Sequence, residues 1–239
     1  MGGVNTPPAA AACHDEAVTH PVDRHLRRLT TPRAAAFAGV LFALLFGTVL
    51  VLTRTALPEG AELGSQWVDG SGGQLRVAVV LMPFAGIAFL WFIGVVRDGL
   101  GVLEDKFFTT VLVGSGLLFL AMIFAATAVG AGLLASKESL ADADSRTEVA
   151  AFGQGLLVAL SNTYALRMAA VFMMSLATIW LRTHLMPGWL VIVTYLVALS
   201  VLIASDVSLW MTMAFPIWVL VVSLVLVVRR SPEHSTGTA

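Results

Sequence analysis

The chain predicts an all-α polytopic membrane protein, a six-transmembrane-helix bundle with its N- and C-termini in the cytoplasm. Three observations carry this expectation. Six apolar stretches approach or exceed about 20 residues, the length that crosses ~30 Å of hydrocarbon at 1.5 Å per residue. Lysine and arginine fall unequally on alternate links between those stretches. No stretch alternates apolar and polar residues with period two, which excludes a β-barrel, the other structure that satisfies its own backbone in lipid. Composition agrees: 58% of the 239 residues are hydrophobic and 12% are charged, with a mean hydropathy of +0.87. A soluble domain carries about 25% charged residues and has no core large enough to hide so much apolar surface.

The elements follow in order. Residues 1–32 are rich in Ala, Pro and polar side chains and are expected to be a disordered cytoplasmic tail. Its Cys13, His14, His20 and His25 lack zinc-finger spacing, so a solvated tail is the reading and no metal is assigned. The tail exceeds the polar lead of a signal peptide, and the first apolar run exceeds the usual h-region, so that run is read as a retained helix. The membrane domain, residues 33–229, holds spans at about 34–53, 77–96, 107–135, 149–181, 187–204 and 208–228, and residues 230–239 form a second cytoplasmic tail. Arg33 and Arg54 bracket the first span, Arg76 and Arg97 the second, and Arg229 and Arg230 close the sixth. Pro83 and Pro216 fall inside spans two and six, where each permits a kink. Trp91, Trp180, Trp189 and Trp210 lie near span ends, as interfacial anchors do. Small residues crowd the outer ends of spans three and four ("AATAVGAGLLAS", 125–136; "AAFGQGLLVAL", 150–160), which predicts that these two helices pair closely.

Orientation comes from the basic residues outside the spans. With the N-terminus inside, the inner segments hold Arg24, Arg27, Arg28, Arg33, Arg97, Lys106, Arg182, Arg229 and Arg230, and the outer ones only Arg54, Arg76, Lys137 and Arg146. The positive-inside rule then places both termini in the cytoplasm.

Arg167, in "SNTYALRMAAVF" (161–172), is a permanent charge within a long apolar run. It lies fifteen residues before Arg182, about 22 Å along a helix, hence in the outer leaflet rather than at the bilayer centre. Helical side chains lean toward the N-terminus, so its guanidinium leans toward the outer boundary and can snorkel there. Two sharper readings stand beside that one. Asp206, the one acid between residues 149 and 228, lies on the same side of the membrane and is a candidate ion-pair partner. Alternatively Arg167 grips an anionic ligand, with Tyr164 one turn further out on the same face to hydrogen-bond it.

The absences narrow the function. None of the five histidines lies in a span, which argues against intramembrane haem and histidine metal sites, and no cofactor is assigned. There is no H-E-x-x-H, no P-loop and no G-x-G-x-x-G, and the serine of "VGSGLLF" has no evident base, so no catalytic residue is assigned. A net charge of −1 with scattered basic residues offers nothing to nucleic acid. The segments "PFAGIAFLWFIGVVRD", "DKFFTTVLVGSGLLF", "YALRMAAVF" and "FPIWVLVVSL" resemble a family of multi-pass membrane proteins common in actinobacteria, over roughly residues 83–228. That resemblance implies a bacterial plasma membrane and no assigned activity. The leading function is a non-enzymatic scaffold, accessory or lipid-binding protein whose partners are membrane lipids and a protein partner or second copy. The alternative is a small-solute transporter with Arg167 as its anion site, and an intramembrane enzyme stands third.

Overall fold

The computed structural model describes Gly2 and residues 22–56, 72–100, 106–139, 143–183, 186–204 and 209–228, and among them everything from residue 22 onward is helical apart from Met186 and Pro187. The helices are α1 (Val22–Ala56), α2 (Gly72–Leu100), α3 (Lys106–Ser139), α4 (Ala143–Val158), α5 (Leu166–Thr183), α6 (Gly188–Ala204) and α7 (Ala214–Val228). A π-helical segment, Ala159–Ala165, joins α4 to α5 without a break, and a 3₁₀ turn, Leu209–Met213, leads into α7. Helix α1 begins at Val22, inside the stretch expected to be a disordered tail.

Five helices are long and apolar enough to cross a membrane: Ala36–Ala56, Gly72–Asp98, Lys106–Ser136, Thr147–Thr183 and Met211–Val228. The expected fifth span is the shorter α6, whose 17 residues cover about 25 Å. The chain is therefore an all-α polytopic membrane protein. Two groups of helices make the bundle. In one, α1 packs along α2 and α7; in the other, α5 packs against α3 and α6, and α4 against α3. The groups meet along α2 and α3, and at the centre of the bundle through a cluster of phenylalanines.

Phe89 of α2 anchors that cluster, with Phe42 of α1 at 4.7 Å, Phe119 of α3 at 5.4 Å, Phe172 of α5 at 5.5 Å and Phe215 of α7 at 5.8 Å between ring centroids. All five rings are fully buried or nearly so. Lipid tails are as apolar as these side chains, so no hydrophobic drive brings the helices together, and dense ring packing must. Close backbone approach supplies the rest. A methyl group on Gly39 of α1 would collide with Ser223 Oγ of α7 and crowd Phe92, and one on Gly153 of α4 would collide with Leu133 of α3. The α3–α4 pairing expected from the small residues is thus present. Helix α6, at the edge, is tied by side chains: Trp218 Nε1 donates to Thr194 Oγ1 at 3.0 Å, and the Thr178 and Tyr195 hydroxyls lie 2.7 Å apart.

One expectation changes. Trp180 is not an interfacial anchor; it is buried and packs on Trp218 with centroids 6.3 Å apart, whereas Trp91 and Trp189 are exposed. Trp180 turns inward because it shares the face of α5 that carries Phe172, Met173 and Leu176. Pro216 lies inside the span Met211–Val228, as expected, in the first turn of α7 just after the 3₁₀ turn. Pro83 lies inside α2.

Gly39→Ala is expected to lower stability by roughly 1–3 kcal/mol, the usual cost of overpacking. Adding Ser223→Ala should recover part of that loss in thermal unfolding of the purified protein in detergent. An unshifted midpoint for the single variant would show that α1 and α7 are not in this close contact. Thr109 makes a second test. Its Oγ1 is buried and meets no hydrogen-bond partner among the described residues. Thr109→Val removes a hydroxyl that costs about 1–3 kcal/mol to bury, so the midpoint should hold or rise, and a clear fall would reveal a partner.

Candidate functional site

The polar residues that matter lie at one end of the bundle. α1 ends on "LTRTA", which puts Arg54 in its last turn, where the helix dipole favours a cation. An arginine at a span end ordinarily reaches out to water. Arg54 instead folds inward and is only 9% exposed. Its Nη2 donates to Asn162 Oδ1 at 2.8 Å and to Thr212 Oγ1 at 3.2 Å, both on buried residues. One guanidinium therefore connects α1, the π segment and the 3₁₀ turn, across the seam between the two helix groups.

The π segment explains how Asn162 comes to be there. Ser161, Asn162 and Thr163 are short polar residues whose side chains compete for backbone groups, which weakens an α-helical ladder. Ser161 Oγ does so, donating to Leu157 O at 2.8 Å. The π ladder runs i→i+5, adding a residue to each hydrogen-bonded turn. In this wider turn Ser161 and Asn162, adjacent in sequence, are both buried.

Beside Arg54 lies a cavity of about 50 Å³. It follows α1 from Phe46 to Arg54, α2 from Leu75 to Met82 and α3 from Ile123 to Gly130, and Leu157 and Ser161 complete it. Its polar lining is Thr53, Arg54, Thr127 and Ser161; the remainder is apolar. The three hydroxyls each donate to a carbonyl of their own helix (Val49, Ile123 and Leu157, all at 2.8 Å), which leaves Arg54 as the charged residue of the lining.

The residues singled out in the sequence are placed differently. Arg167 is half-buried and donates from Nη1 to the Thr163 carbonyl at 3.1 Å, so its side chain runs back toward the N-terminus as helix geometry requires. It does not line the cavity. Tyr164 is 57% exposed on the outside of the bundle. Asp206 lies outside the described residues, and with it the proposed Arg167–Asp206 pair; Cys13, His14 and His20 also lie outside them. Among the described residues no three His, Cys, Asp or Glu side chains gather where a metal ion would sit. Arg54 and Asn162 carry the site, and sequence reasoning treated the first as a span marker and did not single out the second. The available signal was depth: Asn162 lies 20 residues before Arg182, about 30 Å along a helix and so level with the span ends at which Arg54 and Thr212 lie.

Comparison with known proteins finds no match, neither among family models nor among curated proteins nor among solved structures.

Asn162→Ala removes the acceptor 2.8 Å from Arg54 and is expected to cost about 1.5–3 kcal/mol, the range for a hydrogen bond to a charged group. Tyr164→Phe, on an exposed side chain, should stay within about 0.5 kcal/mol of the parent. Unfolding midpoints in one detergent compare the two, and equal midpoints would mean that the Arg54–Asn162 bond does not hold the seam.

Proposed function

We propose that this chain is a non-enzymatic, multi-pass protein of a bacterial plasma membrane that binds lipid in the seam between its two groups of helices, with both termini on the cytoplasmic side. The observation that carries the reading is the apolar cavity between α1, α2, α3 and α4, sited within helices long and apolar enough to span a bilayer. A small apolar cavity in a lipid-soluble protein has lipid chains as its most abundant occupant. The volume suits a chain segment. On this scale one water-sized group needs about 10–15 Å³, so about 50 Å³ holds a short row of such groups and no bulky ring system. The hydroxyls on the cavity wall support a non-enzymatic role, because each is spent on a backbone carbonyl rather than paired with a base. The resemblance to actinobacterial membrane proteins and the excess of Lys and Arg on the inner segments support the location and orientation.

Filling the cavity tests the reading. Ala126 lines it and is 5% exposed, so Ala126→Leu places three further carbons in the space. Lipid extracted from the purified parent should amount to about one chain per protein, and the variant should retain severalfold less at a similar unfolding midpoint. Equal lipid in a folded variant would sink the proposal.

A further inference from the structure

We infer that the cavity is a length-selective site for one unbranched alkyl chain of medium length, with the Phe46 ring as the stop that sets the limit; this rests on the lipid-binding reading of the same cavity. Depth is the first observation. Thr55 Oγ1 donates to Gln74 Oε1 at 3.2 Å, and a methyl group on Gly130 would lie 3.6 Å from Leu75, so Arg54, Leu75 and Gly130 mark one end of the cavity on three helices. Phe46, Met82 and Ile123 mark the other end. The stretches between them are eight residues on α1 and seven on α2 and α3, so each helix gives a depth of about 10–12 Å.

The second observation is width. At about 10–15 Å³ each, roughly four water-sized groups fill about 50 Å³, and four such groups of ~1.4 Å radius in single file extend about 11 Å. Volume and depth therefore agree for a passage one group wide. A straight chain fits it, and a branched or ring-bearing one does not. Carbon–carbon bonds of ~1.5 Å that meet near 111° advance about 1.25 Å per carbon, so the passage takes about eight to ten carbons.

The third is the floor. Phe46 is buried, stacked on Phe42 at 5.2 Å and edge-on to Phe119 at 5.7 Å between centroids, and both of those rings pack on Phe89. A ring wedged from two sides in a close-packed cluster does not swing aside for a longer chain. The floor also has a fixed height. The apolar part of α1 ends at Ala56, ten residues beyond Phe46, so the stop lies about 15 Å below the membrane boundary, in the middle of a ~30 Å hydrocarbon layer. A chain that fills the passage is confined to one leaflet, with its polar end near the boundary.

The test uses the full-length protein, stripped of lipid in a neutral detergent, and straight-chain alcohols from octanol to tetradecanol, whose uncharged head keeps electrostatics out of the comparison. Binding is read as displacement of tritiated decanol from the immobilised protein. Detergent competes for each chain and gains from every methylene, so apparent affinity stays level while each added carbon finds the cavity and falls once it does not. The expected result is affinity level within about twofold from octanol to decanol and at least fivefold lower by tetradecanol. Phe46→Ala should bring tetradecanol back to within about twofold of decanol, and Met82→Ala, which opens the same floor from α2, serves if loss of the ring prevents folding. Dimethyloctanol, with the carbon count of decanol but branched, should bind the parent at least fivefold more weakly than decanol. Level affinity through tetradecanol in the parent, equal binding of the branched alcohol, or a limit that neither floor variant moves overturns the length stop and leaves the lipid cavity standing. Absence of decanol binding, or binding that Ala126→Leu does not weaken, overturns the cavity and the length stop together.

Discussion

A guanidinium taken out of water keeps its charge, so the protein around it has to supply the hydrogen bonds that water gave up. Two of the bonds to Arg54 come from other helices. Asn162 and Thr212 come from segments 108 and 158 residues away in sequence, so satisfying the arginine requires α1, the α4–α5 helix and α7 to be in register with one another. Sliding any of the three by a single turn, about 5.4 Å, would break a 2.8 or 3.2 Å contact. The rest of the bundle is less exacting. Phenylalanine clusters tolerate small displacements, and lipid-facing Leu, Ile and Val have no fixed partners. The arginine thus sets vertical register where apolar packing sets only proximity.

Register would matter less in water, where burying an apolar stripe already selects one arrangement. In lipid it does not, because both faces of a helix meet hydrocarbon. The described helices accordingly use directional contacts at each level. The Arg54 cluster lies at one end, the rings around Phe89 lie in the middle, and Arg182 over the Phe108 ring at 4.6 Å joins α5 to α3 at the other end. Helix α6 depends on the same logic: too short to span by length alone, it is held by the Trp218–Thr194 and Thr178–Tyr195 contacts.

The bundle was legible from the chain because the bilayer reduces the choice to helices of one length. Span positions then follow from apolar runs, and the α3–α4 pairing follows from Gly and Ala where backbones touch. Azimuth was not legible. Which way a residue faces depends on helix rotation, and the π segment alters rotation at Ser161 and Asn162 in a way that a 3.6-residue period does not anticipate. Arg167 drew attention as the charge furthest from a span end, yet the more deeply buried charge is Arg54, at a position that reads as an ordinary flank. Trp180 was misread for the same reason: its place along the helix fitted an anchor, and its face did not.

The two arginines differ because their helices run in opposite directions. Side chains on a helix lean toward its N-terminus. Arg54 is in the last turn of α1, so leaning toward the N-terminus carries its guanidinium from the boundary down into the bundle. Arg167 is near the start of α5, on a helix antiparallel to α1, so the same lean lifts its guanidinium from the interior toward the boundary. Both end on the π segment, at adjacent residues: Arg54 on the side chain of Asn162, Arg167 on the carbonyl of Thr163. One arginine dips and the other rises, and the widened turn between them offers a side-chain acceptor to the first and a backbone acceptor to the second. Helix direction, rather than distance from the end of the span, therefore decides which arginine lines the cavity and which returns to its own backbone.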